Sequence, residues 1–419
     1  MNLRILIFSL AYFPHVGGAE VAIREITGRL SDFEFDMITW NIDAKKNKET
    51  RNKEIKKLRD ANTTNAKLER VGNVNVYRIS CPKFLFPVYA YRKAKELHKL
   101  NNYQIVWGMM ANLAGLGALL FKLRFNKVKF LLTLQTGNDD KKVWQKTWWW
   151  RPLYKMIYRK ADYIQAISNY LAERGKRFGA KCRIEIIPNG VDLSIFQETR
   201  KKKQETKAAN ITDIGLDDKV IITASRLVEK NGLSDLIRAI QLSQPQPKAD
   251  GPLSQKAGPP LAEIINYQLS IKLLIAGVGE LEGELKNLVN KLGLGDKVFF
   301  LGQVDHEELA KLYNVVSVFV RPSLSEGLGS AFLEAMGAGV PVIATPVGGI
   351  PDFLKDGETG WFCGVKNPKS IAGKIDYILD EKNKDEVTRV IENARKLVEE
   401  EYNWEKIAQK MDNIFKSLL

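Results

Sequence analysis

Short apolar runs recur along this chain, each followed by a stretch whose apolar residues fall three and four apart. In the first half the runs are 3–9 (LRILIFS), 35–40, 74–79, 105–107, 130–134, 163–166 and 184–187. In the second half they are 220–224, 272–276, 298–301, 318–320 and 340–344. Near-continuous Val, Ile, Leu and Phe predict parallel strands covered on both faces. The intervening spacing predicts helices starting near Ala19 and over 87–100, 111–123, 149–159, 169–178, 233–240, 281–292 and 307–313. Three more, over 370–378, 387–399 and 405–418, close the chain. Strand and helix in alternation build βαβ units around a parallel sheet.

Three stretches break the pattern. Residues 44–66 are Lys-rich and weakly patterned, and read as a mobile excursion. Residues 197–210 (QETRKKKQETKAAN) are charged and core-free, and read as a linker. Residues 241–262 are rich in Pro, Gly, Gln and Lys; they bury no core and read as a surface insertion. The expected architecture is α/β: two Rossmann-like, doubly wound parallel-sheet domains facing a central cleft. The first domain spans 1–195 and takes back a C-terminal helix over 403–419; the second spans 196–402 and carries the insertion. Ligands in such folds sit beyond the carboxyl ends of the strands.

Composition narrows the class. No apolar run approaches the roughly 18–20 residues that span a bilayer. The N-terminal residues lack the apolar core and small-residue cleavage site of a signal peptide and read better as a first strand. Cys81, Cys182 and Cys363 have no paired spacing, so neither a disulfide framework nor a zinc site is expected, and the reducing cytoplasm is the natural home. A net charge of +15 favours an anionic partner, whether phosphorylated substrate, anionic membrane surface or nucleic acid. No nucleic-acid recognition module is legible.

The densest chemistry lies in 318–349, VFVRPSLSEGLGSAFLEAMGAGVPVIATPVGG. A strand, a polar loop over 322–327 and a helix over 329–336 would aim backbone N–H groups and a helix dipole at one point, which suits phosphate. Glu326 and Glu334 flank that point, and a ligand with hydroxyls beside its phosphates would use both. That combination describes a sugar nucleotide. Residue type alone favours solvated surface groups for the two carboxylates; their placement around a glycine-rich helix start points to ligand contacts. Arg226 and Lys230 in SRLVEKNG follow the 220–224 strand, where a fork and a movable charge can meet phosphate oxygens or simply face water. Gly277 in GVGE and Val304 in GQV follow the next strands. Gly17 and Gly18 follow the first, as a close-approach turn or only a structural one; a full G-x-G-x-x-G is absent.

With these residues in place the chain resembles the retaining glycosyltransferases of family 4, of the GT-B fold. The E-x7-E pair is Glu326…Glu334, and YFPHVGGAE, IPNGVD, SRLVEKNG, IAGVGE, FFLGQV and YNWEKIAQKM complete an ordered set over nearly the whole chain. The resemblance implies that Glu334 binds the donor ribose and Glu326 the donor sugar. It implies that amides around Leu328, Gly329 and Ser330 hold the distal phosphate, and that Arg226 and Lys230 neutralise the departing diphosphate. Gly277 and Val304 would grip the base, and Gly17 and Gly18 approach the donor phosphates.

The expected activity is metal-independent transfer of a hexose-type sugar from a UDP- or GDP-sugar, with no permanently bound cofactor. The acceptor would be a lipid-linked or cell-envelope glycan. A sugar-nucleotide epimerase of the same fold and a catalytically silent nucleotide-sugar-binding partner protein are the alternatives. Where family members often carry histidines, this chain has Met109 and Gln135; its histidines are His15, His98 and His306. On the acceptor side, Trp150, Leu153, Tyr154, Ile157 and Tyr158 form one helical stripe beside Arg151, Lys155 and Arg159. A second basic aromatic segment is FLFPVYAYRKAKELHKL. Such stripes suit an anionic bilayer surface at the cytoplasmic face, or the sheet beneath them.

Overall fold

The computed structural model describes residues 3–14, 17–41, 66–196, 218–243 and 270–419. The chain divides into two compact units: Met1–Gly190 with Glu326–Ser330 and Glu401–Leu419, and Val191–Ser325 with Ala331–Glu400.

The first unit holds an eight-stranded sheet. Its strands are β1 (Leu3–Phe8), β2 (Phe33–Trp40), β3 (Ala66–Val71), β4 (Val74–Ile79), β5 (Ile105–Met109), β6 (Lys129–Leu134), β7 (Tyr163–Ala166) and β8 (Arg183–Ile186). They lie in the order β3-β4-β2-β1-β5-β6-β7-β8. All neighbours are parallel except β3, which pairs antiparallel with β4. The central strands are buried along almost their whole length, as their unbroken apolar runs require. Helix ends are fixed by side chains: Asn112 accepts from Ala114 N–H, Ser168 from Leu171 N–H, and Asp139 from Lys142 N–H. The last helix, Trp404–Ser417, belongs to this unit and sets Phe415 against Phe33, Phe35 and Trp107.

The second unit holds an all-parallel sheet of six strands: β9 (Lys219–Ala224), β10 (Ile271–Ala276), β11 (Val298–Gly302), β12 (Val318–Arg321), β13 (Val342–Ala344) and β14 (Trp361–Phe362). The order is β11-β10-β9-β12-β13-β14. In each sheet the winding direction reverses once, between β1 and β5 and between β9 and β12. A crevice opens outside the carboxyl ends of strands at such a reversal.

Three elements differ from expectation. Strand β3 has the sequence AKLERV, whose exposed polar positions hide an edge strand. Strand β14 is two residues long, too short for a periodicity to register. In place of one helix over 149–159 there are two, Asp140–Thr147 and Arg151–Lys160. The expected excursion, linker and insertion fall outside the described residues. The exceptions are Ala66, which opens β3, and residues 241–243 at the end of helix Leu233–Leu242.

Candidate functional site

In the second unit the loops after β9, β10 and β12 are tied to one another by backbone bonds. Ser225 N–H donates to the Ala276 carbonyl at 2.9 Å, Leu227 N–H to the Val278 carbonyl at 3.0 Å, and Leu324 N–H to the Lys230 carbonyl at 2.6 Å. Gly277 sits at φ +135°, and a Cβ there would stand 1.9 Å from the Ser225 carbonyl oxygen. Gly232 sits at φ +68°, with a Cβ position 2.0 Å from the Pro322 carbonyl oxygen. Only glycine allows backbones this close. Arg226 and Lys230 ride on this joined platform, Arg226 exposed and Lys230 half-buried. Asn231 Nδ2 donates to the Arg226 carbonyl at 2.7 Å and sets the curl of their loop. Val304 is half-buried just past β11.

Glu334 lies on helix Ser330–Ala338 with 13 % of its side chain exposed, its Oε1 3.8 Å from His306 Nδ1. Burial pushes its carboxyl above the ordinary range, while His306 and Arg321 pull the other way. Arg321, the last residue of β12, was not singled out from sequence, because a single arginine ending an apolar strand resembles a solvated flank. It is buried. Its Nη1 donates to the Ala224 carbonyl at 3.1 Å, and its guanidinium lies 4.2 Å from the Phe332 ring centroid.

Residues Glu326, Leu328, Gly329 and Ser330 group with the first unit. Gly327 N–H donates to Glu326 Oε1 at 3.1 Å, Leu328 is buried, and Gly329 at φ +93° turns the chain into the helix that Ser330 begins. Also in the first unit, Gly17 and Gly18 stand at the start of helix Gly18–Arg29. Asn189 Nδ2 lies 3.5 Å from the Gly18 carbonyl, and its Oδ1 accepts from Gln135 Nε2 at 3.1 Å. The segments that follow β1, β6 and β8 thus meet. Met109 is core; the neighbouring Met110, at φ +66°, is the one that lines open space. His98 is packed against Phe121 and Phe125, and burial lowers its pKa. Asp139 and Asp140 are structural, a helix cap and a partner of Arg174 and Arg177.

The aromatic stripe turns inward. Trp150, Tyr154, Ile157 and Tyr158 are buried, so the helix packs its stripe inside the unit rather than offering it to a bilayer. Exposed instead are Trp148, Trp149, Leu153 and, on the second segment, Phe84 and Val88. Among the described residues no helix is long and apolar enough to cross a membrane.

Residues 16–195 match the family model described as Glycosyltransferase Family 4, and residues 204–397 the one described as Glycosyl transferases group 1. An uncharacterized glycosyltransferase of Methanocaldococcus jannaschii is 29% identical over 83% of this chain and 86% of its own length. A GDP-mannose-dependent monoacylated alpha-(1-6)-phosphatidylinositol monomannoside mannosyltransferase of Corynebacterium glutamicum is 30% identical over 64% of this chain and 65% of its own. Among solved structures, Anabaena HepE in complex with UDP and glucose superposes with a TM-score of 0.72 at 18% identity, over 99% of this chain and 100% of that one.

Proposed function

The chain belongs to glycosyltransferase family 4, with the two-domain GT-B fold, and on that premise we propose that it moves a hexose-type sugar from a UDP- or GDP-sugar to an acceptor hydroxyl with retention of configuration. The observation that carries this reading is the loop platform beyond β9, β10 and β12, where backbone bonds hold the Arg226–Lys230 loop against Gly277 and Pro322. Breaking a sugar–phosphate bond leaves negative charge on the nucleotide diphosphate. Arg226 and Lys230, carried on that tied loop, stabilise that charge as it develops, an effect worth a few kcal/mol per group in a preorganised site. The amides opening helix Ser330–Ala338 add the positive end of its dipole. Glu334 holds ribose hydroxyls and Glu326 the transferred sugar. Gly277 and Val304 border the base. With that charge met by side chains and amides, the reaction proceeds without a metal.

A lipid-linked acceptor at the cytoplasmic face of a membrane fits the net charge of +15 and the exposed Trp148, Trp149 and Phe84. The mannosyltransferase relative, by its name, acts on a monoacylated lipid.

Calorimetric titration with UDP, GDP and their sugars should give micromolar binding of one nucleotide series. Lys230→Ala should lower donor cleavage about 10²–10³-fold. Full cleavage by Lys230→Ala and Glu326→Ala variants would remove the assignment, and failure to bind any nucleotide sugar would remove the activity. Flotation should show binding to anionic vesicles and none to neutral ones; equal absence from both rules out the membrane surface.

A further inference from the structure

Inside the first unit, beyond the carboxyl ends of β5 and β6, lies a cavity of about 460 Å³. Its wall is mostly apolar, formed by Met110, Leu134, Trp150, Tyr154, Tyr158 and Leu171. Trp149 also lines it while remaining 65% exposed, so the cavity opens to solvent past that ring. Two buried polar atoms of lining residues have no hydrogen-bond partner among the described residues: Nη1 of Arg174 and Oε1 of Gln135.

Arg174 is fully buried. Its Nε donates to Asp140 at 2.6 Å, and its Nη2 to the Tyr170 hydroxyl at 2.8 Å and to the Asn138 carbonyl. Asp140 therefore balances its charge, and what remains there is a directional N–H rather than a free cation; Lys83, the other cation of the lining, is exposed and sets its Nζ 5.5 Å from the Trp40 ring centroid. Gln135 spends its amide N–H on Asn189 and keeps its oxygen. A packing defect among apolar side chains would not place an unused donor and an unused acceptor in its wall, because native interiors satisfy such groups. The Tyr154 and Tyr158 hydroxyls bond each other at 2.8 Å and make no such demand.

We propose that this cavity is the acceptor pocket and that it takes an uncharged amphiphilic alcohol. An alkyl chain lies among the rings, and a hydroxyl-bearing head donates to Gln135 Oε1 and accepts from Arg174 Nη1. The assignment rests on the transferase reading for its role, while the ligand chemistry comes from the cavity itself. An apolar chain gains affinity with each methylene withdrawn from water, and a bare sugar gains none.

The test is a titration of the full-length chain, without donor, with n-alkyl β-D-glucosides from methyl to octyl, followed by tryptophan fluorescence. The dissociation constant should fall by up to about fourfold per methylene, and at least about tenfold between methyl and hexyl. Leu113→Phe and Val143→Phe, which fill the cavity from two helices, should cap the chain length accepted. Leu123→Ala, on the exposed surface outside the lining, should leave the series intact. Gln135→Leu should weaken every member by a similar factor. Constants equal within about twofold across the series would overturn the proposal. So would a chain-length dependence that vanishes in Leu123→Ala, or one untouched in both filled variants when these remain folded by circular dichroism. A flat series beside intact nucleotide-sugar binding removes the pocket and leaves the transferase; a steep series without nucleotide binding does the reverse.

Discussion

On the proposed reading, Glu334 is one residue that weakens the fold and serves the ligand. Its carboxyl binds a proton more tightly in the folded chain than in the unfolded one, because burial disfavours the charge more than His306 and Arg321 favour it. The resulting cost appears as pH rises from the unfolded value and is complete above the folded one; acidification through that window relieves it. Glu334→Gln should therefore raise the unfolding temperature at neutral pH, with the gap to the parent closing in acid. The same change should weaken the nucleotide sugar about 10–100-fold, since a hydrogen bond to a charged group is worth about 1.5–3 kcal/mol. Calorimetry in both modes checks the pair, and a variant that is less stable at neutral pH contradicts this account. The carboxylate itself was legible in the sequence from its spacing to Glu326. Arg321 was not, because burial of a lone arginine depends on the Phe332 ring and the Ala224 carbonyl, which are close only in space.

Two glycines separate element geometry from site geometry. Gly232→Ala puts a methyl group where the Pro322 carbonyl oxygen stands and forces a left-handed φ on an L side chain. The expected loss is about 1–3 kcal/mol, together with weaker donor binding, because the displaced loop carries Lys230. Gly283 lies in helix Glu282–Lys291 with open space around its Cβ position, so Gly283→Ala should stabilise by about 0.5–1 kcal/mol and leave binding alone. Urea unfolding of both variants measures the contrast. At this scale most of the fold was readable: buried parallel strands are written as unbroken apolar runs, and β1, β5, β6 and β9 announce themselves. An edge strand with alternating charges, like β3, or a two-residue strand, like β14, leaves no comparable trace. The aromatic stripe at Trp150–Tyr158 was readable as a stripe but not in its direction. Periodicity gives a helix its apolar face without saying whether protein or lipid covers it.

At the scale of the whole molecule, the core of the first unit draws on residues from both ends of the chain: Ile5, Phe35 and Trp107 share one cluster with Trp404, Ile407, Met411 and Phe415. Among the described residues, the buried core cluster of the second unit ends at Val390, with Ile391 packed against it. A chain ending at Asn403 would lose six large buried side chains, Ile414 and Leu418 among them, worth about 9–18 kcal/mol together, at least comparable with the whole stability of a typical domain. Limited proteolysis with mass spectrometry should then find the first unit digested and the second intact; equal resistance of both would refute the dependence. During synthesis the same arrangement sets an order of events. At roughly 5–20 residues per second, the ribosome needs on the order of ten to forty seconds after Gly190 before Trp404 is made. Through that interval the first-made half carries an unfinished core, and the second-made half can close ahead of it. Translation speed and chaperone capture in that window, rather than equilibrium stability alone, would then govern how much full-length protein reaches its native state.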